Sequence, residues 1–389
     1  MNEKSNMTSS NNTYSVVPRV EVISNPGDDN LKFTLSGVNV SLANALRRIL
    51  LSEIPMVVFR VSPNEKNKCN IIANTCGLNN EIVKHRLSCI PIHIKDTEDF
   101  PLKNYILEVN VQNNTDTTIY VTTKDFIIKD LISGKPLPEE KVREIFPAND
   151  LTGDFIDFVR LKAKAAEEIN GKIIHLTCEF DIGNAKEDGA YNAVSTCSYG
   201  NTIDSELQET KLQQLKQKWK DEGKKEDEIN FESDNWRLLE GKRIFKKDSF
   251  DFIIQSVGVY TNSELLLLGC KIIVNRLQNL DSLIDKDEIV IKNSDSTIMN
   301  CFDVLLENED YTIGKVLEYF LITNLFEKSI LTFCGFKMFH PHDSYGIIRL
   351  AYKDSVDISG IKGNLKECIN DSIDVFTRLR KEFLKSVPR

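Results

Sequence analysis

The 389-residue sequence contains no apolar run near the roughly 18 residues that a membrane-spanning helix needs, and its first residues, MNEKSNMTSSNNTYS, carry no apolar signal-peptide core. A soluble intracellular protein with no membrane association is therefore expected. It also lacks any Cys-x-x-Cys pair; the 9 cysteines are scattered and odd in number, which suits a reducing compartment where thiols act as small buried apolar groups. Only 5 histidines occur, and no Gly-x-Ser-x-Gly, P-loop, Gly-x-Gly-x-x-Gly or His-Glu-x-x-His pattern, so no familiar hydrolase, nucleotide or zinc-protease site is expected. A net charge of -9 denies the chain the overall basic surface that wraps duplex DNA and favours protein partners.

What remains is an ordinary globular composition, 41% hydrophobic and 28% charged, in a chain longer than the roughly 50 to 250 residues of most single domains. Residues 1–17 are Ser/Asn-rich and expected to be loose. Two short strands follow around a turn at Asn25-Pro26-Gly27-Asp28, then a helix, then strands that dominate to about residue 195. Residues 201–243 change character: charge rises and a solvated, partly helical insertion is expected. TNSELLLLGCKIIVNRLQNL reads as a helix with a Thr/Asn/Ser start, and residues 281–296 as a polar linker. The tail repeats the plan: a strand, a helix capped near Thr312, two strands joined by a Pro/His/Asp loop, and a long amphipathic closing helix through Leu365, Cys368, Ile369, Ser372, Phe376, Leu379 and Phe383.

The helix in LANALRRILLSEIPM is informative. At roughly 100° per residue, Leu42, Ala45, Leu46, Ile49 and Leu50 share an apolar sector, while Asn44, Arg47, Arg48 and Leu51 fall opposite. Arginine around an apolar anchor is more typical of an interface than of a solvated face. A second dense stretch, NTCGLNNEIVKHRLSCIPIHI, sets Glu81, His85 and Arg86 on a short helix closed by Pro91, again suggesting a docking surface. His85, Cys89 and His93 stand four apart, the spacing of helical zinc ligands, but Pro91 interrupts their alignment and no metal is expected. His340 and His342 fit a polar loop, and Glu309-Asp310 a turn or helix start, better than catalysis. A rival reading takes the basic and aromatic residues of 201–247 as a nucleic-acid surface, although acids interrupt them throughout.

The segments NALRRILLSEIPM, NTCGLNNEIVKHRLSCIPIHI and DFIIQSVGVYTNSELLLLGCKIIVNRL resemble, in order and spacing, assembly subunits of multisubunit RNA polymerases. The likeness is to the N-terminal domain of the bacterial alpha subunit and, more closely, to the third subunit of RNA polymerase II or its counterpart shared by polymerases I and III. EDYTIGKVLEYFLI with ILTFCGFKMFHPHDSYGIIRLAY resembles that subunit's small partner, the eleventh subunit of RNA polymerase II. The resemblance implies an α+β fold: alpha-type dimerisation domains forming an internal pseudo-heterodimer, monomeric in this fused form. The first would comprise 18–60 and 191–280, the β-rich insert 61–190, and the second 297–389. It implies internal contacts through Leu46, Ile49, Leu317, Phe320, Phe376, Leu379 and Phe383, and a face toward other subunits made by Asn44, Arg47, Arg48 and Leu51. Asn74, Thr75, Glu81, His85 and Arg86 would extend that face. The function implied is a non-catalytic assembly platform for the two largest polymerase subunits and a small assembly subunit, reaching nucleic acid only through the complex. No cofactor is implied, since DTEDFPLKNYILEVNVQNN lacks the four-cysteine zinc loop of polymerase II forms. Fused pairs of this kind are a feature of some large DNA viruses, which would place the protein in the cytoplasm; a cellular form would be nuclear.

Overall fold

The computed structural model describes residues 16–24, 29–97, 100–164, 166 and 170–387; most of the expected loose tail, residues 1–15, and the turn at Asn25 to Asp28 lie outside them. Strands β1 (Arg19–Val22) and β2 (Asn30–Ser36) pair antiparallel and lead into helix α1 (Val40–Ser52). Gly37 makes the turn with φ of 73°, and a Cβ there would come 2.3 Å from the Val17 carbonyl, so both conformation and space call for glycine. Asn39 caps α1 by accepting from the Ser41 N–H at 2.9 Å, and the helix ends before Pro55.

β3 (Met56–Val58) opens the insert, which continues through β4 (Cys69–Asn74), α2 (Asn80–Ser88), β5 (Tyr105–Asn113), β6 (Ile119–Thr122), β7 (Ile127–Asp130), α3 (Glu139–Ile145), β8 (Asp157–Leu161) and β9 (Lys172–Glu179). It closes with β10 (Asp181–Gly183), which pairs with β3 as a stem. The chain then forms β11 (Val194–Ile203), a helical hairpin α4 (Ser205–Asp221) and α5 (Glu226–Leu238), β12 (Phe245–Ser256) and α6 (Asn262–Asp285). α6 starts on a reciprocal cap: Thr261 Oγ1 accepts from the Glu264 N–H, and the Glu264 carboxylate accepts from the Thr261 N–H. The second half consists of β13 (Ile291–Asn293), β14 (Cys301–Glu307), α7 (Tyr311–Leu321), β15 (Leu331–Lys337), β16 (Tyr345–Tyr352) and α8 (Ile358–Ser386).

The two halves share a topology. One sheet is ordered β1-β2-β12-β11 and the other β13-β14-β16-β15, both antiparallel. In each, a helix follows the second strand, the last strand returns to the centre beside it, and a long helix closes the unit. α1 packs against its equivalent α7 and α6 against its equivalent α8, the pattern of an isologous dimer.

One apolar core runs through both halves, taking in Leu46 and Ile49 of α1, Leu317 and Phe320 of α7, and Phe376, Leu379 and Phe383 of α8. Phe33 stacks on Phe252 at 5.1 Å and meets Phe383 of the other half edge-on at 5.5 Å. The insert has a second core built on a β4-β9-β5-β7 sheet and a β6-β8 pair. The strand alternation of β3 divides the two: Met56 and Val58 enter the shared core, Val57 and Phe59 that of the insert.

Three local expectations are corrected and one is sharpened. Residues 281–285 extend α6 and residues 291–293 form an edge strand of the second sheet, so half of the 281–296 segment is regular structure, with Ser282, Asp285, Lys292 and Asn293 facing outward. The cap of α7, expected near Thr312, is Asp310, whose side chain accepts from the Thr312 N–H at 2.8 Å. α8 starts earlier, on Asp357. Val16, assigned to the loose tail, packs against the shared core.

Candidate functional site

Counted from their capping residues Asn39 and Asp310, α1 and α7 share six buried positions, Leu42, Ala43, Ala45, Leu46, Ile49 and Leu50 in one and Ile313, Gly314, Val316, Leu317, Phe320 and Leu321 in the other, and α7 buries Thr312 as well. Where the helices meet, a polar seam joins the halves. Arg48 donates from Nε to Thr312 Oγ1 at 2.8 Å and from Nη2 to Asp310 Oδ2 at 3.1 Å. Arg276 of α6 donates to Glu53, just past α1, at 2.5 Å and also to Glu309, with all three side chains no more than 14% exposed.

The electrostatics follow from that partial burial. Burial raises the Glu309 carboxyl against the pull of Arg276, whereas burial lowers Arg276 but Glu309 and Glu53 hold it above its ordinary value. Asp310 feels the same upward push from burial, yet the hydrogen bonds from Thr312 and the charge of Arg48 keep it below the usual carboxylate range. Sequence reading missed this seam. Its one visible trace was Arg276, a lone arginine inside the apolar KIIVNRL run, a place where a charge needs a partner.

The candidate residues divide accordingly. Arg48 and Leu51, expected on the outward face, turn partly inward: Arg48 into the seam, and Leu51 against the shared core. The reason is α7, which crosses this side of α1 and covers part of the surface that an isolated helix would leave open. Asn44 and Arg47 remain outside the core; Arg47 donates from Nε and Nη2 to Asn44 Oδ1 at 3.0 and 2.9 Å and has no ion-pair partner among the described residues. At the equivalent positions of α7 the charge is satisfied internally. Lys315 Nζ donates to Glu318 at 2.7 Å, and Glu318 also accepts from the Phe336 N–H of β15 at 2.9 Å.

In the insert, Asn74 closes the loop before α2 by donating to the Leu78 carbonyl at 3.0 Å and accepting from the Cys76 N–H at 3.0 Å. Thr75 Oγ1 accepts from the Ile173 N–H at 2.8 Å, and Arg86 donates to the Phe158 and Asp157 carbonyls at 2.6 and 2.9 Å. These three hold the surface in shape. Glu81 and His85 stand exposed on it, and neither side chain has a hydrogen-bond partner among the described residues. His85 and His93 are not brought together with Cys89: His93 is half-buried near Gly258, and no His/Cys/Asp/Glu group able to hold a metal occurs among the described residues. Tyr260 fastens the insert to the frame, its single hydroxyl hydrogen shared between the carbonyls of Pro55 and Lys95, at 3.1 and 3.2 Å.

Residues 32–277, more than half of the chain, match the family model described as the RNA polymerase Rpb3/Rpb11 dimerisation domain. The chain belongs to this family. Among members and relatives, it is 27% identical over 220 residues to DNA-directed RNA polymerases I and III subunit rpac1 of Dictyostelium discoideum, covering 51% of this chain and 58% of the other. It is 28% identical over 204 residues to a conjugation stage-specific protein of Tetrahymena thermophila, covering 48% and 61%. A shorter stretch of 64 residues, 16% of this chain and 22% of the other, is 45% identical to DNA-directed RNA polymerase subunit Rpo3 of Thermococcus kodakarensis. The chain thus spans 58% to 61% of the length of the first two relatives. All three are cellular proteins and lend no support to a viral source.

Proposed function

We propose that the chain is a non-catalytic assembly platform of a DNA-directed RNA polymerase, with the second half, from β13 onward, serving as the dimerisation partner on the same polypeptide. The reading rests on one observation: two copies of one topology close over a single core, so the dimerisation for which the family is described is satisfied within the chain. Covalent linkage fixes their ratio at one to one and gives the second unit a high effective concentration. The outward residues Asn44 and Arg47, extended by Glu81 and His85, are the docking face for the large catalytic subunits, with Arg48 and Leu51 setting its rim. Arginine suits that role because its planar fork holds carboxylates or carbonyls at a fixed angle.

The test is recovery of the complex. A tagged chain isolated from its native source brings down two very large subunits and a small one, and Arg47→Glu with Asn44→Ala leaves the chain folded but abolishes that recovery. Normal assembly by the double variant overturns the assigned face; absence of large partners from the wild-type preparation overturns the function.

A further inference from the structure

The α4–α5 hairpin has no counterpart in the second half, where β15 and β16 are joined only by residues 338–344, so the shared fold does not require it. Its own interior is slight: Leu212, Ile229 and Ser233 are its buried helical residues. It nevertheless builds an open groove of about 540 Å³ with an apolar floor of Leu215, Trp236 and Ile244. Lys211, Lys218 and Arg243 rim it, and Glu240 is the one acid on its wall. Lys211 is exposed with no ion-pair partner among the described residues, and Lys218 reaches Glu222 only at 3.9 Å. Arg243 alone is closely paired, with Glu240 at 3.1 Å.

We propose that this groove docks an acidic peptide segment of another protein that carries an aromatic or branched aliphatic anchor. Charge complementarity supports that occupant: in a chain of net charge -9, the groove gathers three cations against one acid around a partly apolar floor. An anchor side chain would cover Trp236, and flanking carboxylates would meet Lys211 and Lys218, which lie two helical turns apart on one face of α4. A single-stranded polynucleotide fits less well. Along α4 the stripe of Lys211 and Lys218 runs into Leu207 and Glu222, so on that helix the cations stop with the groove, and Glu240 on its wall opposes a phosphate backbone.

The chain reports on this site directly, because its 2 tryptophans, Trp219 and Trp236, both lie in the hairpin. Full-length protein is titrated by tryptophan fluorescence with the peptide Glu-Glu-Asp-Phe-Glu-Glu-Leu-Asp, with its Gln/Asn analogue, and with oligodeoxythymidine. The acidic peptide gives a saturable change that weakens with added salt, and the neutral analogue gives none. Lys211→Glu with Lys218→Glu weakens binding about tenfold at an unchanged melting temperature, since two exposed charge contacts are reversed. Glu240→Gln, which removes the opposing acid, tightens it by a factor of about two. The proposal is overturned by no response to the acidic peptide, equal binding of the neutral analogue, tighter binding of oligodeoxythymidine, or wild-type affinity in the folded double-lysine variant.

Discussion

In the first half, the connection from α1 to β11 holds the whole β-rich insert and that from β11 to β12 holds a helical hairpin; in the second half, residues 322–330 and 338–344 make the same two connections. The frame is nonetheless shared strand for strand. Connections at the rim of a sheet can grow because loop closure costs little more entropy as length increases, whereas the helix faces that meet in the middle must match a fixed partner. The equivalent helices sharpen the contrast. Inward positions of α1 and α7 are interchangeable in kind, but outward Arg47 keeps its charge free of a carboxylate while Glu318 is tied to Lys315 and to the backbone of β15.

The comparison can be broken most severely at the shared core. Phe383→Ala removes a second-half ring that touches Phe33 of the first half, and it should cost about 4 kcal/mol. Urea unfolding followed by circular dichroism and by chemical labelling of Cys270 and Cys368 should show both halves losing structure together; separate midpoints would mean they are independent. Arg276→Met should cost about 3 kcal/mol by leaving Glu53 and Glu309 facing each other largely buried. Because the folded-state pKa of Glu309 is raised, its stability contribution is fullest below the unfolded value and is lost as pH rises, so this deficit should shrink toward about pH 4.

The equivalence of α1 and α7 can be tested at Gly314, where an added Cβ would come 2.5 Å from the Phe336 ring. Gly314→Ala should destabilise by about 2 kcal/mol in thermal melts, although the same exchange is favourable in an open helix and its equivalent position in α1 is already alanine, Ala43. Asp310→Asn keeps a capping side chain but loses the charge facing Arg48, for about 1 kcal/mol at neutral pH. The Asp310 pKa is depressed, so its contribution is present above the unfolded value of about 4 and lost as pH falls through the folded one; wild type and variant should converge in acid. Smallest is Arg47→Ala, which should move stability by less than about 0.5 kcal/mol, since among the described residues the side chain bonds only Asn44 of its own helix. A larger loss would give Arg47 a structural role like that of Glu318.

The buried face of α1 could be read because helical periodicity puts Leu42, Leu46, Ile49 and Leu50 on one side whatever they pack against. The Thr261 start of α6 was similarly local. The inward turn of Arg48 could not be read, since Asp310 and Thr312 lie more than 260 residues away in sequence. Asn74, Thr75 and Arg86 were polar residues in a dense stretch, and nothing local indicated that their bonds go to the loop, β9 and β8 instead of outward.

Sequence alone determined the repeated order of strands and helices and which face of each helix is apolar, because both follow from backbone geometry over a few neighbouring residues. Tertiary structure decided that the two halves bury those faces against each other, which charges close the seam, and that Arg47 has no ion-pair partner among the described residues. Those outcomes depend on long-range distances, and a charge is free or satisfied only according to what the folded chain brings within a few ångströms of it.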